Sequence, residues 1–355
     1  MNYVSPLLSR PGATPLQHPS PVDAAGVAWH YGSPLVEQRW VETGTVVVDR
    51  SHRRVLRVAG PDAAEFLNNL LSQKLVGVAP GFHAAALDLD MQGHILHAAE
   101  VTCTAPDEFY LDLPAAQAAT LATFLQRMVF WSQVTVEETD LAVLSLLGAG
   151  LPELADSPVY SHPVPWQGCP RHDIAVHRGQ VEGAVASLEK HGVRLAGLMA
   201  FSAERVRARE PELAADLDHK AIAHEVPHWI GRGGRAGAVH LDKGCYRGQE
   251  TVARVENLGR SPRLLVMLYL DGSAPTTPEP GQDITLGGRR VGRMGTVVDD
   301  CDYGPIALGL VKRSALAAGT QLQCGDVALS VDPEYIPTDE GPQAGRVAVN
   351  NLRGR

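Results

Sequence analysis

The sequence predicts an α+β fold followed by a separate small β-barrel, and three observations carry that expectation. Strand-like runs alternate with single amphipathic helical stretches over residues 45–147. After Ser261-Pro262 the texture changes to short β runs broken by Gly and Pro. At 355 residues, 45% of them hydrophobic, the chain is long enough to bury more than one core.

The first β-rich stretch covers 45–49 and 55–58. Gly60-Pro61-Asp62 ends it and opens a helix, with Asp62 and Glu65 at the spacing of a capping box and Phe66, Leu67, Leu70 and Leu71 on one face. Strands follow at 83–89, 95–102 and 109–113. Pro114 then starts a second helix lined by Leu121, Phe124, Leu125, Met128 and Val129, and strands at 134–137 and 141–147 complete an antiparallel, one-face-covered layer. Five prolines between 151 and 170 read as a connector. A helical stretch at 195–209, a polar segment at 210–237 and a short helix after Gly248, with Val252 and Val255 inward and Gly259 near its end, fill the region up to 260. Runs at 264–270, 283–286, 290–298, 306–311, 321–323 and 327–331 have the spacing of a barrel. The resulting division is a disordered tail at 1–20, an α+β lobe at 21–150, a second at 151–260, a barrel at 261–336 and another disordered tail at 337–355.

A formal net charge of −9 gives no general attraction to phosphate backbones, so neither nucleic acid nor a membrane is expected as a direct partner. The longest nearly apolar stretch, 141–151, is too short to span a bilayer, and the N-terminus has no apolar signal core, so the expected location is the cytoplasm. Five cysteines, odd in number and without a Cys-x-x-Cys pair, argue against a disulfide framework or a structural metal site.

Chemistry concentrates in Lys243-Gly244-Cys245-Tyr246-Arg247-Gly248-Gln249-Glu250. The glycines let the backbone bend, and cations two residues to either side of Cys245 would stabilise a thiolate just before a helix N-terminus. Taken alone, the same residues also describe a glycine turn with a buried, inert cysteine. His224-Glu225-Val226-Pro227-His228 spells a zinc-protease expression, but Pro227 forbids the continuous helix that the expression needs.

The eight residues from Lys243 to Glu250 resemble the Lys-Gly-Cys-aromatic-x-Gly-Gln-Glu signature of the YgfZ family of folate-binding proteins. Arg57-Val58-Ala59-Gly60-Pro61-Asp62, Met91-Gln92-Gly93 and the stretch 292–310 extend the likeness to about residues 40 to 335. The resemblance implies a three-lobed fold like that of the glycine cleavage T-protein, two α+β lobes with antiparallel sheets and a C-terminal barrel around a central opening that holds tetrahydrofolate. It implies a reactive Cys245 and folate contacts from Glu225, Lys243, Gly244, Tyr246, Arg247, Gln249, Glu250 and Arg254. It also implies partners among iron–sulfur enzymes or their assembly proteins, tRNA-modifying enzymes included. Ala221-Ile222-Ala223-His224-Glu225 resembles the family's folate loop, whose glutamate accepts two parallel hydrogen bonds from a pterin, with Ala223 where a proline usually stands. Arg205 to Pro211 resembles a family segment whose glycine is absent here. Arg247, Arg254, Arg260 and Arg263 are candidate partners for folate's glutamate carboxylates, or simply surface charges. The T-protein's catalytic aspartate has no counterpart in Gly93-His94-Ile95-Leu96-His97-Ala98, which favours an accessory folate-binding role over aminomethyl transfer. A one-carbon transferase with another donor is the alternative.

Overall fold

The computed structural model describes residues 3–18, 20–150, 158–232, 234, 236–317, 319–331 and 336; the expected tail at 337–355 lies outside them. In chain order the elements are α1 (Pro34–Thr43), β1 (Thr45–Asp49), β2 (Arg54–Ala59), α2 (Ala63–Leu70), β3 (His83–Leu89), β4 (Ile95–Ala105), β5 (Glu108–Leu113), α3 (Ala115–Met128), β6 (Thr135–Glu138) and β7 (Leu141–Gly148). They continue with β8 (Tyr160–Pro163), β9 (Arg171–His177), α4 (Val181–Lys190), β10 (Arg194–Ala196), α5 (Leu198–Arg207), α6 (Leu213–Asp216) and α7 (Gln249–Leu258). The last six strands are β11 (Arg263–Leu270), β12 (Asp283–Leu286), β13 (Arg289–Asp300), β14 (Gly304–Lys312), β15 (Leu322–Cys324) and β16 (Val327–Val331).

The expected class holds: two five-stranded sheets, β10-β1-β7-β9-β8 and β3-β4-β5-β2-β6, are joined by a closed barrel, β11-β14-β13-β12-β15-β16. The second sheet is antiparallel throughout, and α2 and α3 cover one face, with Phe66, Leu67, Leu121 and Leu125 packed on Leu56, Val101 and Leu111. The first sheet carries one parallel pair, β1 with β10, because the chain returns through α4. It draws strands from both sides of residue 150, so the two α+β lobes interleave in sequence.

Residues 3–18, expected as a disordered tail, pack instead. Leu7 is fully buried, the Ser5 hydroxyl hydrogen-bonds Asp49, and Ser5 N–H donates to the Gly26 carbonyl at 2.8 Å. The proline-rich run thus contains an anchored apolar residue. The expected connector also contains β8, an edge strand whose terminal Pro163 costs the ladder nothing. Asp62 sits at the start of α2 without capping it; its carboxylate accepts from Gln133 N–H at 2.7 Å instead.

Three ion-pair clamps fasten the barrel to the lobes and so fix the space between them. Arg205 of α5 binds Asp216 at 2.7 Å and the Thr296 hydroxyl of β13 at 2.5 Å. Arg207 grips Asp300 of β13 through two bonds of 2.6 Å. Arg263 of β11 holds Glu225 and Asp218 together.

Candidate functional site

The signature residues form a clasp between α7 and the layer of α2 and α3. Lys243 Nζ donates to the carbonyls of Asn68 and Leu71, the latter at 2.5 Å, so it caps the C-terminal end of α2. It also lies 4.6 Å from the ring centroid of the buried Tyr246, and burial pushes its ammonium pKa down to about 8. Arg247 pairs with Asp88 at 2.5 Å and stacks 4.3 Å over Phe124 of α3. The other Asp88 oxygen meets His97 Nδ1 at 2.8 Å, and His97 Nε2 meets the Thr120 hydroxyl at 2.9 Å. His97 is therefore tied into the sheet-to-helix layer.

Two glycines allow the close approach. Gly248 adopts φ +81°, and a Cβ there would stand 2.7 Å from the Asp90 carbonyl; Gly93 adopts φ +82°, and its Cβ would stand 2.7 Å from Thr251 Cβ. With Lys243, Tyr246 and Arg247 directed into the lobe, Cys245 is left exposed. The two cations expected to support a thiolate are answered by backbone carbonyls and by Asp88.

Four cavities that share walls lie in series, and the line they follow is termed the passage. A wide mouth of about 760 Å³, lined mostly by apolar groups of residues 20–25, 95–96, 114–117, 212–214 and 217–219, opens one end. Through Pro114, Gln117, Glu212 and Leu213 it adjoins a waist of about 60 Å³. A second waist chamber of about 30 Å³ shares Ala85, Glu100, Arg171, Glu210 and Trp229 with the first. Beyond Ala236 and Gly237 lies a groove of about 850 Å³ with Lys74 and Arg232 among its walls.

The waist takes its polar groups from residues that strand alternation and one turn place there. Ala98 and Glu100, two apart on β4, share a face. His83 Nε2 lies 3.0 Å from the Glu100 carboxylate. Burial would raise the Glu100 pKa, but His83 and Arg171 outweigh it and hold the carboxyl down at about 2. Glu210 follows Arg209, a non-glycine residue at φ +57° where the resembling family segment has its glycine. Its carboxylate accepts from Trp229 Nε1–H at 2.8 Å and from His228 Nε2–H at 2.9 Å. Arg50 stacks 4.1 Å over Phe201, and burial lowers its pKa to about 9.

The residues expected to form the site lie outside these cavities. Glu225, the expected pterin-reading carboxylate, is 1% exposed, and its oxygens accept from Arg263 at 2.7 and 2.9 Å, which ties its loop to the barrel. Arg254 is exposed and pairs with Glu250 at 2.8 Å, while Gln249 opens α7. None of Glu225, Cys245, Arg254 and the signature residues around Cys245 lines the four cavities. The passage instead uses Glu100, Glu210, Trp229, Phe201 and Arg171, which the sequence reading left unassigned. The legible signal was Glu100 as a charged residue inside an apolar strand run. The zinc-protease expression dissolves as expected: residues 223–225 and 227–229 form separate 3-10 turns, and His224 turns to Glu256 while His228 turns to Glu210.

Among the described residues no helix is long and apolar enough to cross a membrane. Residues 26–164 match the family of the GCVT N-terminal domain, and residues 263–338 match that of the CAF17 C-terminal beta-barrel domain. A chloroplastic protein of Arabidopsis thaliana, provisionally named a transferase, is 24% identical over 335 residues, covering 85% of this chain and 74% of that protein. The tRNA-modifying protein YgfZ of Cronobacter sakazakii is 25% identical over 281 residues, covering 74% of this chain and 83% of the relative. The glycine cleavage aminomethyltransferase T of Bartonella henselae superposes with a TM-score of 0.76 at 20% identity, over 93% of this chain and 95% of that one, which establishes a shared fold.

Proposed function

We propose that this chain, which belongs to the YgfZ/CAF17 family and has the T-protein fold, holds tetrahydrofolate in its central passage and supports the upkeep of iron–sulfur enzymes, tRNA-modifying ones included. The observation that carries the reading is the waist itself, a cavity that the Glu100 and Glu210 carboxylates line together with Trp229 and Phe201. A pterin presents N–H donors along one edge and flat faces to either side, and the acceptor carboxylates suit the edge while the aromatic side chains suit the faces. The apolar mouth suits the aminobenzoyl body. The waist chambers, about 60 and 30 Å³, are smaller than a bicyclic ring, so entry requires side chains to move aside.

Names of the relatives support the accessory role: YgfZ proteins are called tRNA-modifying. Cys245 acts in this reading on a protein that docks from outside, since its thiol is exposed on the clasp and does not line the passage. One cysteine cannot ligate a cluster by itself, so any cluster contact is shared with that client. The cytoplasm is the proposed compartment. Glu100, on the same strand face as Ala98, favours a second reading, folate-dependent group transfer with an unidentified donor.

Calorimetric titration of the full chain with tetrahydrofolate tests the first half, and saturable binding is expected. The second half is tested in cells lacking the chain: restored activity of an iron–sulfur tRNA-modifying enzyme by the intact protein and not by Cys245→Ala is expected. Absence of binding removes the folate role, and full restoration by Cys245→Ala removes the thiol's role. Turnover of tetrahydrofolate with an amine donor would move the assignment to transfer.

A further inference from the structure

The waist contains a carboxylate prepared for a ligand, and it is not the one the sequence points to. Arg209 adopts φ +57° just past the end of α5, and Glu210 N–H returns to the Arg205 carbonyl at 3.0 Å, so a helix-ending turn carries the Glu210 side chain into the passage. Trp229 Nε1–H holds one Glu210 oxygen and His228 Nε2–H the other. A carboxylate oxygen accepts two hydrogen bonds, so each keeps one acceptor direction for a ligand. Glu100 lines the same two chambers, with His83 behind it. Glu225, by contrast, is buried, accepts two hydrogen bonds from Arg263 and a third from Ile222 N–H, and lines none of the four cavities.

We propose that Glu210, together with Glu100, reads the N–H edge of a planar heterocycle of the 2-aminopyrimidine class at the waist, and that Glu225 only joins its loop to the barrel. The assignment rests on the folate reading for the identity of the natural ligand and on the waist geometry for everything else.

Two titrations of the full chain separate these supports. Tetrahydrofolate tests the folate reading; 2,4-diaminopyrimidine, protonated on a ring nitrogen, has the N–H edge and none of the folate body. Losing a hydrogen bond to a charged acceptor costs about tenfold or more in affinity, so Glu210→Gln is expected to weaken both ligands by about that factor while the thermal midpoint stays within a few degrees. Glu225→Gln is expected to lower the midpoint and leave both affinities within about twofold. Equal diaminopyrimidine affinity in the intact chain and Glu210→Gln overturns the assignment, as does loss of binding in Glu225→Gln alone. Diaminopyrimidine bound through Glu210 without tetrahydrofolate binding removes folate and keeps the waist site; binding of neither overturns both. If Glu210→Gln does not fold, Glu100→Gln reads the same chambers and must weaken diaminopyrimidine as well.

Discussion

Glu100 and Glu225 show how far a residue's neighbours decide its chemistry. Burial raises the pKa of either carboxyl, yet Glu100 ends at about 2 because His83 and Arg171 outweigh burial, whereas Glu225 stays above its usual range despite Arg263. The folded pKa of Glu100 lies below its unfolded value, so its contribution to stability is complete above about pH 4.5 and disappears as pH falls toward 2. The thermal midpoint of the intact chain should drop between pH 5 and pH 2.5, and that of Glu100→Gln should drop less steeply. Parallel curves would show that Glu100 is not held ionised by the fold. Glu100 was visible in the sequence as a charge inside a strand run, but its pairing with His83 across β3 and β4 was not. Glu210 was less legible, since its placement depends on a left-handed turn at an arginine, where residue type argues against that conformation.

At the scale of elements, the sequence reveals those whose apolar pattern is unmixed with buried charge. The helices at α2 and α3 and the six barrel strands were read within a few residues because Leu, Val and Phe mark one face of each. Strand β9 was not, because Arg171 and Asp173 are buried against each other inside it, at 2.5 Å, and read as polar surface. Helix α4 was hidden beside it, although Val181, Val185 and Leu188 mark its buried face. In the clasp, Gly248 was legible as a bend, but not the surface it approaches. Gly248 at φ +81° faces the Asp90 carbonyl, so Gly248→Ala combines left-handed strain with a contact that must open. A loss of about 1–3 kcal/mol is expected in chemical denaturation, with tetrahydrofolate affinity unchanged because the clasp stands apart from the passage. No loss of stability would mean that α7 does not depend on its contact with the β3–β4 hairpin.

For the whole molecule, the two ends of the passage differ in charge, and this bears on which way a folate would lie. Asp23, Glu212 and Asp218 line the apolar mouth, and no Lys or Arg appears among its described walls. His52, Arg50 and Arg53 act on Asp23, Arg205 meets Glu212 and Arg263 meets Asp218, but none of these cations is among the described walls of the mouth, where the three carboxylates stand. Three arginines that the sequence offered to the glutamate tail are engaged elsewhere: Arg247 by Asp88, Arg254 by Glu250, and Arg263 by Asp218 and Glu225. A folate whose ring occupies the waist and whose aminobenzoyl body occupies the mouth would bring its carboxylates to a rim of the same sign. Added glutamates should then give no gain in affinity, and the pentaglutamate should improve relative to the monoglutamate as salt screens the repulsion. Titrating both forms at low and moderate ionic strength measures this. A pentaglutamate about tenfold tighter at low salt would reverse the orientation, directing the tail past Ala236 and Gly237 into the groove where Lys74 stands.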